Sequence, residues 1–285
     1  MRFNICKVAI NDYHHLFDDL IEVLAASLMD LGYQCTVSIN NTYSDAMNIL
    51  IGSIISDQEL VNQLLVNPSI IYQMEILSDE YGHLKQYPNY LGLLGRASAI
   101  WEYSPSNKLF LESKGFKNVF YVPPGHHPII KKINWSSQRD YDFIFVGSMS
   151  GRRKQFLDEL SDQGFKVAAI CEKNKAFGKK RDEIIARSKI VVNVHCFEDI
   201  KTLETVRISY LLANKAVIIS EESDHDPYDG AVAYAKYEDL IGCCATTLNN
   251  MNGLQQRAED GFQAISRLDM TSIVRNVVFD MSSIF

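Results

Sequence analysis

Polar residues gather at the ends of β-branched runs in this chain, where a parallel sheet would present them along one edge. Gly147-Ser-Met-Ser-Gly-Arg-Arg-Lys154 follows one such run. A glycine turn entering a helix offers free backbone N–H groups and a positive dipole end, which suits a phosphate. Gly147 and Ser148 would line the turn, and Arg152 and Arg153 would add guanidinium forks. Basic residues at a helix start oppose the dipole unless an anion sits there. The alternative is an exposed basic first turn. A second run ends Val194-His195-Cys196, ahead of a helix carrying Glu204 and Arg207. Those two lie three residues apart on a helix apolar nearly all round, so they must pair or meet a ligand. A carboxylate near a helix N-terminus stays ionised and can accept from vicinal hydroxyls such as those of a ribose, while Arg207 suits a phosphate or carboxylate. His195 alone reads as an ordinary strand-end histidine. Its place before this pair makes it a candidate acid or base.

Glu221 closes a third run, ahead of an acidic loop (Asp224, Asp226, Asp229) that reads as solvated surface. The first half has its own strand-end groups: Asp12, His14, His15, Glu75 and Glu102. Of these, His15, Glu75 and Glu102, with His195, are the candidates for general base or acceptor-binding group. The residues alone do not choose among them. Six Cys, at 6, 35, 171, 196, 243 and 244, show no CxxC and no metal-ligand spacing, so no metal site is expected.

The elements that must position these residues follow from periodicity. Strands are expected at 3–10, 34–40, 48–52, 69–75, 99–103 and 118–123, with helices at about 14–31, 57–66, 84–97 and 105–114. The segment Pro123-Pro-Gly-His-His-Pro128 breaks this rhythm. It restarts with strands at 141–147, 166–171, 189–195 and 216–221, and a weaker one at 231–235. Helices are expected at about 152–163, 180–188, 202–213, 236–248 and 252–268. Alternating strand and helix implies an α/β fold with mostly parallel sheets. The expected organisation is a Rossmann-like domain at 1–125, a linker at 126–140 and a second Rossmann-like domain at 141–285 that includes C-terminal helices over 252–285.

Composition bounds the function. In 285 residues, 47% hydrophobic and 22% charged, Asp and Glu number 35 against 28 Lys and Arg, for a net charge of −7. That balance argues against a nucleic-acid binder. No apolar run approaches the ~20 residues of a membrane span, and the N-terminus does not read as a signal peptide. A reduced, cytoplasmic protein is expected, with peripheral membrane contact left open.

Taken in order, Ile71-Tyr-Gln-Met-Glu75, Trp101-Glu-Tyr-Ser-Pro-Ser-Asn107, Val122-Pro-Pro-Gly125, Phe145-Val-Gly-Ser with Arg152-Arg153, Arg181-Asp-Glu-Ile-Ile-Ala-Arg-Ser-Lys189 and Val192-Asn-Val-His195 followed by Leu203-Glu-Thr-Val-Arg207 and Ile219-Ser-Glu221 resemble a family of bacterial glycosyltransferase-like proteins. The resemblance covers roughly residues 69–245. It implies the GT-B architecture: two Rossmann-like domains facing a central cleft. It further implies transfer of a sugar from a nucleotide-sugar donor to a saccharide or glycoconjugate acceptor, without metal or other cofactor, as in surface polysaccharide biosynthesis. Glu204 occupies the place of the ribose-binding carboxylate, and Arg152 and Arg153 lie in the loop facing the diphosphate. Arg181, Arg207 and Glu221 complete the implied donor-side set. The paired-glutamate signature of retaining members is not matched, since Cys196 stands eight residues before Glu204. A catalytically silent sugar-nucleotide-binding module and a sugar-nucleotide epimerase of the same fold are the alternatives.

Overall fold

The computed structural model describes residues 1–9, 15–80 and 82–282. It forms two α/β units, one made of Met1–Ile129 and Asp269–Phe285, the other of Ile130–Leu268. The expected positions Asp12 and His14 lie outside the described residues.

Unit 1 is built on a six-stranded, all-parallel sheet: β1 (Arg2–Lys7), β2 (Gln34–Ile39), β3 (Met47–Ile51), β4 (Ser69–Gln73), β5 (Ala99–Glu102) and β6 (Val119–Tyr121), in the order β2-β1-β3-β4-β5-β6. Its connecting helices are α1 (Asp18–Asp30), α2 (Gln58–Leu64), α3 (His83–Gln86), α4 (Tyr90–Leu94) and α5 (Pro105–Ser113). β4 and β5 are buried along their whole length, as strands covered on both faces must be. The single helix expected over 84–97 is two short ones. Pro88 has no N–H to give and disfavours a helical residue before it, so the chain breaks between α3 and α4.

Unit 2 carries five parallel strands: β7 (Tyr141–Val146), β8 (Val167–Ile170), β9 (Ser188–Asn193), β10 (Ile218–Glu221) and β11 (Ala233–Ala235), in the order β11-β10-β9-β7-β8. Its helices are α6 (Gly151–Asp162), α7 (Gly178–Ile185), α8 (Thr205–Ala213), α9 (Leu240–Asn249) and α10 (Met251–Ser266). Alternate strand residues Phe143, Phe145, Ile190, Val192 and Val194 form one core with Phe156, Leu157 and Leu160 of α6 and with Leu240 and Cys244 of α9. β7 has β8 on one side and β9 on the other, so the strand order reverses there.

The division of the chain differs from the one sequence order suggests. The last helix, α11 (Met270–Ser282), belongs to unit 1, where it packs on α1. Met270, Val274, Val277 and Met281 share one helical face and are all buried, and Trp101 of β5 donates its Nε1 hydrogen to the Met281 sulfur at 3.3 Å. The chain enters this helix through the Met270 N–H, which donates to the His126 carbonyl at 2.9 Å. The linker expected over 126–140 is also part of the units. Asn214, at the C-terminus of α8, accepts from the N–H groups of Lys132 (2.7 Å) and Ile133 (2.8 Å) and donates to the Ile130 carbonyl (2.8 Å). Its own carbonyl accepts from Trp135 Nε1 at 2.7 Å. One buried amide therefore fastens 130–135 to unit 2. Among the described residues, no helix is long and apolar enough to cross a membrane.

Met270→Ala should cost about 2–5 kcal/mol, since it empties a fully buried site. Native-state hydrogen exchange should show the loss in β1 and β3–β5 of unit 1, with β7, β9 and β10 of unit 2 keeping their protection.

Candidate functional site

The reversal of strand order in unit 2 brings together the residues that the sequence leaves far apart. β7 runs into Gly147, and Ser150 caps α6 by accepting the Arg153 N–H at 3.3 Å. β9 ends at Asn193, and after Val194 and His195 the chain returns to Glu204, which stands at the N-cap of α8. β10 ends at Glu221 beside them.

Glu204 is the centre of a charged network. Its Oε1 accepts from Arg153 Nη2 at 2.9 Å and its Oε2 from Asn193 Nδ2 at 2.8 Å, while His195 Nδ1 lies 3.3 Å from Oε2. Only an edge of the side chain, 18% exposed, reaches the surface. Burial works to raise its pKa, but the hydrogen bond and charge of His195 and the charges of Arg207 and Arg153 outweigh it, and the pKa falls to about 2. Glu204 is a permanent anion at neutral pH. His195 is 2% exposed and donates to an acceptor on each side: Glu204 at Nδ1 and the Glu222 carbonyl at Nε2, 2.9 Å away. Burial works against its charge, yet Glu204, the Glu222 carbonyl and Glu221 hold its pKa above the ordinary 6.5. The protonated ring is the form that satisfies both acceptors.

The arginines divide the work. Arg153 is buried; Nε donates to the Val194 carbonyl (2.7 Å), Nη1 to the carbonyl and hydroxyl of Ser148 (2.9 and 3.0 Å), and Nη2 to Glu204. Four of its five N–H groups are thus committed within the fold. Arg152 grips both oxygens of Glu221, donates to the His195 carbonyl and stacks 3.8 Å above the Tyr237 ring. The Glu221 carboxylate in turn accepts the His195 N–H at 3.1 Å. Arg207 donates from Nη1 to Asn193 Oδ1 at 2.6 Å, with its guanidinium carbon 5.6 Å from the centre of the Phe145 ring. A Cβ on Gly147 would fall 2.6 Å from Arg207 Nη2, and the backbone there has φ +156°. Glycine at 147 therefore admits the guanidinium against the start of the β7–α6 turn.

Sequence reasoning expected Arg152, Arg153 and Glu221 to meet the ligand. In the structure Arg152 pairs with Glu221, and Arg153 is buried against Glu204. The pair foreseen for Glu204 was Arg207; the amide of Asn193 bridges those two. Ser148 serves as an acceptor for Arg153. Arg181 sits on α7, paired with Asp182 and stacked 4.2 Å from the Tyr210 ring. Asn193 and Tyr237 went unremarked as site residues. The one visible signal for Asn193 was an amide in an otherwise apolar run, Ile190-Val-Val-Asn-Val194.

In unit 1, His15 Nδ1 lies 2.7 Å from Asp18 Oδ2, and the other oxygen of Asp18 accepts from Lys7, the last residue of β1. Burial alone would raise the Asp18 pKa; the hydrogen bonds from Lys7 and His15 outweigh it and hold the group ionised. Glu102 differs from the expected anion. It is wholly buried at the end of β5, where burial pushes its pKa well above the carboxylate range despite hydrogen bonds from Asn107 and the Ser104 N–H. With its side chain 0% exposed, Glu102 presents no surface to an acceptor in this arrangement. Glu75 is half-buried beyond β4, its carbonyl accepting from Asn107 at 2.8 Å. Among the described residues, no group of three or more His, Cys, Asp or Glu is placed to hold a metal ion.

No family model matches the chain. Two uncharacterized proteins of Acanthamoeba polyphaga mimivirus, L140 and L138, are 28% and 30% identical to it over 129 residues, 44% of this chain. The matched stretch is 42% of the first and 14% of the second, so the chain spans less than half the length of either relative. Among solved structures, an alpha-glucosyltransferase in complex with UDP and a 13-mer DNA superposes with a TM-score of 0.66 at 11% identity, covering 99% of both chains. A T4 phage BGT variant in complex with UDP-glucose gives 0.62 at 12%, over 97% of this chain and 99% of that one. TarM gives 0.61 at 12%, over 90% and 57%. The fold of this chain is that of the GT-B glycosyltransferases: two Rossmann-like α/β units with parallel sheets.

The network should show in the pH dependence of unit 2. With its pKa lowered from 4.5 to about 2, Glu204 contributes stability in full above 4.5 and loses it as pH falls toward 2. With its pKa raised, His195 contributes in full below 6.5 and loses it as pH rises through the folded value. Stability from this network should therefore be greatest between those limits. Glu204→Gln should cost on the order of 1–3 kcal/mol, abolish the acid limb and bring the His195 pKa down. Melting curves against pH and NMR titration of the His195 ring check this.

Proposed function

We propose that this chain is a glycosyltransferase that takes a sugar from a nucleotide-sugar donor held on unit 2 and passes it to a saccharide or glycoconjugate acceptor. The observation that carries the reading is the position of the Glu204 network. An ionised carboxylate and a guanidinium stand together at the reversal of strand order in a parallel sheet, where open α/β sheets take their ligands. The solved structures of the same fold support it, since two of those named above carry UDP or UDP-glucose.

The assigned roles follow from charge. A carboxylate has about four acceptor positions, and Arg153, Asn193 and His195 occupy three at Glu204. The remaining one, on the exposed edge, suits a ribose hydroxyl. Arg207, beside the start of α6, supplies a cation where the donor's diphosphate would lie, and the N-terminus of α6 adds its dipole. As the bond between the anomeric carbon and the phosphate oxygen breaks, charge grows on the diphosphate, and these groups offset it without a metal ion. The acceptor oxygen forms the new bond to the anomeric carbon and gives up its proton to a base. Arg152 and Arg153 act through the carboxylates they hold.

A thermal-shift series with UDP-, GDP-, CMP- and dTDP-sugars tests the reading. A donor at 100 times its dissociation constant should stabilise the protein by ~2.7 kcal/mol, and the same sugar nucleotide should release its free nucleotide on incubation with suitable acceptors. Arg207→Ala should weaken that binding by about 1.5–3 kcal/mol. If none of the four stabilises the chain and no nucleotide is released, the reading is wrong.

A further inference from the structure

Asn193 is 1% exposed at the end of β9, an amide among apolar neighbours, and every atom of its carboxamide is in use. Nδ2 donates to Glu204 Oε2 at 2.8 Å and to Ser220 Oγ at 3.0 Å, while Oδ1 accepts from Arg207 Nη1 at 2.6 Å. The partners leave no ambiguity in the orientation of the amide. A carboxylate at its pKa of about 2 only accepts, and a guanidinium only donates. Of the side chains of this size, asparagine alone presents a donor to one neighbour and an acceptor to the other. Aspartate would set two negative charges face to face at Glu204; leucine would serve neither.

The guanidinium so held is confined on its other side. Arg207 Nη2 reaches to within 2.6 Å of where a Gly147 Cβ would stand, and the Phe145 ring lies beneath the group, 5.6 Å from the guanidinium carbon. Asn193 thus holds the Arg207 head group against the β7–α6 turn. We propose that Asn193 is a positioning residue, which aims Arg207 at the diphosphate of the donor, while Arg153 and His195 suffice to hold Glu204 for the nucleoside. The inference rests on the donor site described under Proposed function. It predicts a division of labour within one ligand: loss of Asn193 should be felt at the phosphates and not at the nucleoside.

Calorimetric titration of UDP, GDP, ADP and dTDP, each beside its parent nucleoside, reads this directly. Asn193→Ala should weaken the best-bound diphosphate about 10-fold or more and change the affinity for its nucleoside by less than about twofold. In an Arg207→Ala background, the further change Asn193→Ala should have no additional effect on the diphosphate, because the residue acts through that arginine. Asn193→Asp, nearly the same size, serves if the alanine variant does not fold. It still accepts from Arg207 but returns a negative charge to it, so it too should lose diphosphate affinity selectively. Parallel losses for diphosphate and nucleoside, or an Asn193 effect that persists without Arg207, would overturn the assignment and leave the donor site standing. A wild-type protein that binds none of the eight compounds would remove the donor-site reading and this inference together.

Discussion

The carboxylate of Glu204 is the constraint around which unit 2 is arranged. It is mostly buried and ionised, and a buried ion is tolerated only when its charge is met by partners and its lone pairs by donors. Arg153, His195, Asn193 and the nearby charge of Arg207 meet those demands, and they come from three places in the chain. Arg153 starts α6, Asn193 ends β9 with His195 just beyond it, and Arg207 rides the first turn of α8. Satisfying one anion thereby ties the end of one strand to the starts of two helices. Removing a charged partner leaves the buried carboxylate with part of its desolvation cost unmet.

A second pairing flanks it. Arg152 and Glu221 form a forked ion pair that also caps the His195 backbone, and the Tyr237 ring covers the guanidinium. Two adjacent arginines on one helix turn thus serve two carboxylates, one at the end of β10 and one at the N-cap of α8. The basic first turn of α6 opposes its own dipole, and these two carboxylates are what offset it.

Unit 1 solves the same architectural problem with neutral groups. Near the ends of β3, β4 and β5, Ser53, Tyr90 and Gln73 are hydrogen-bonded in series, and the Glu75 carbonyl, accepting from both Gln73 and Asn107, joins them to Glu102. Charge in that unit is kept nearer the surface, at Lys7, His15 and Asp18. Among the described residues, the two Rossmann-like sheets therefore carry different electrostatics at their carboxyl edges: a buried charged cluster in unit 2, and in unit 1 buried hydrogen bonds with the ion pairs of Asp18 nearer the surface.

What could be read from the sequence was set by local rules. All eleven strands of the two sheets fall where apolar runs and glycine or proline punctuation place them, since strand period and turn chemistry act over a few residues. That Glu204, His195, Gly147 and Arg207 gather at one sheet edge was legible for the same reason, because polar residues after apolar strands mark the carboxyl edge of a parallel sheet. Pairing was not visible. Arg153 and Glu204 are 51 residues apart, and Arg152 and Glu221 are 69 apart, so their union depends on the strand order β10-β9-β7, which no local pattern encodes. The neutrality of Glu102 likewise comes from burial on every side, a property of the packed unit. The same holds for α11, whose apolar face could be read from its spacing while its partner, α1, lies more than 230 residues earlier in the chain. Elements are dictated by neighbours in sequence; charge states, ion pairs and unit membership are decided by neighbours in space.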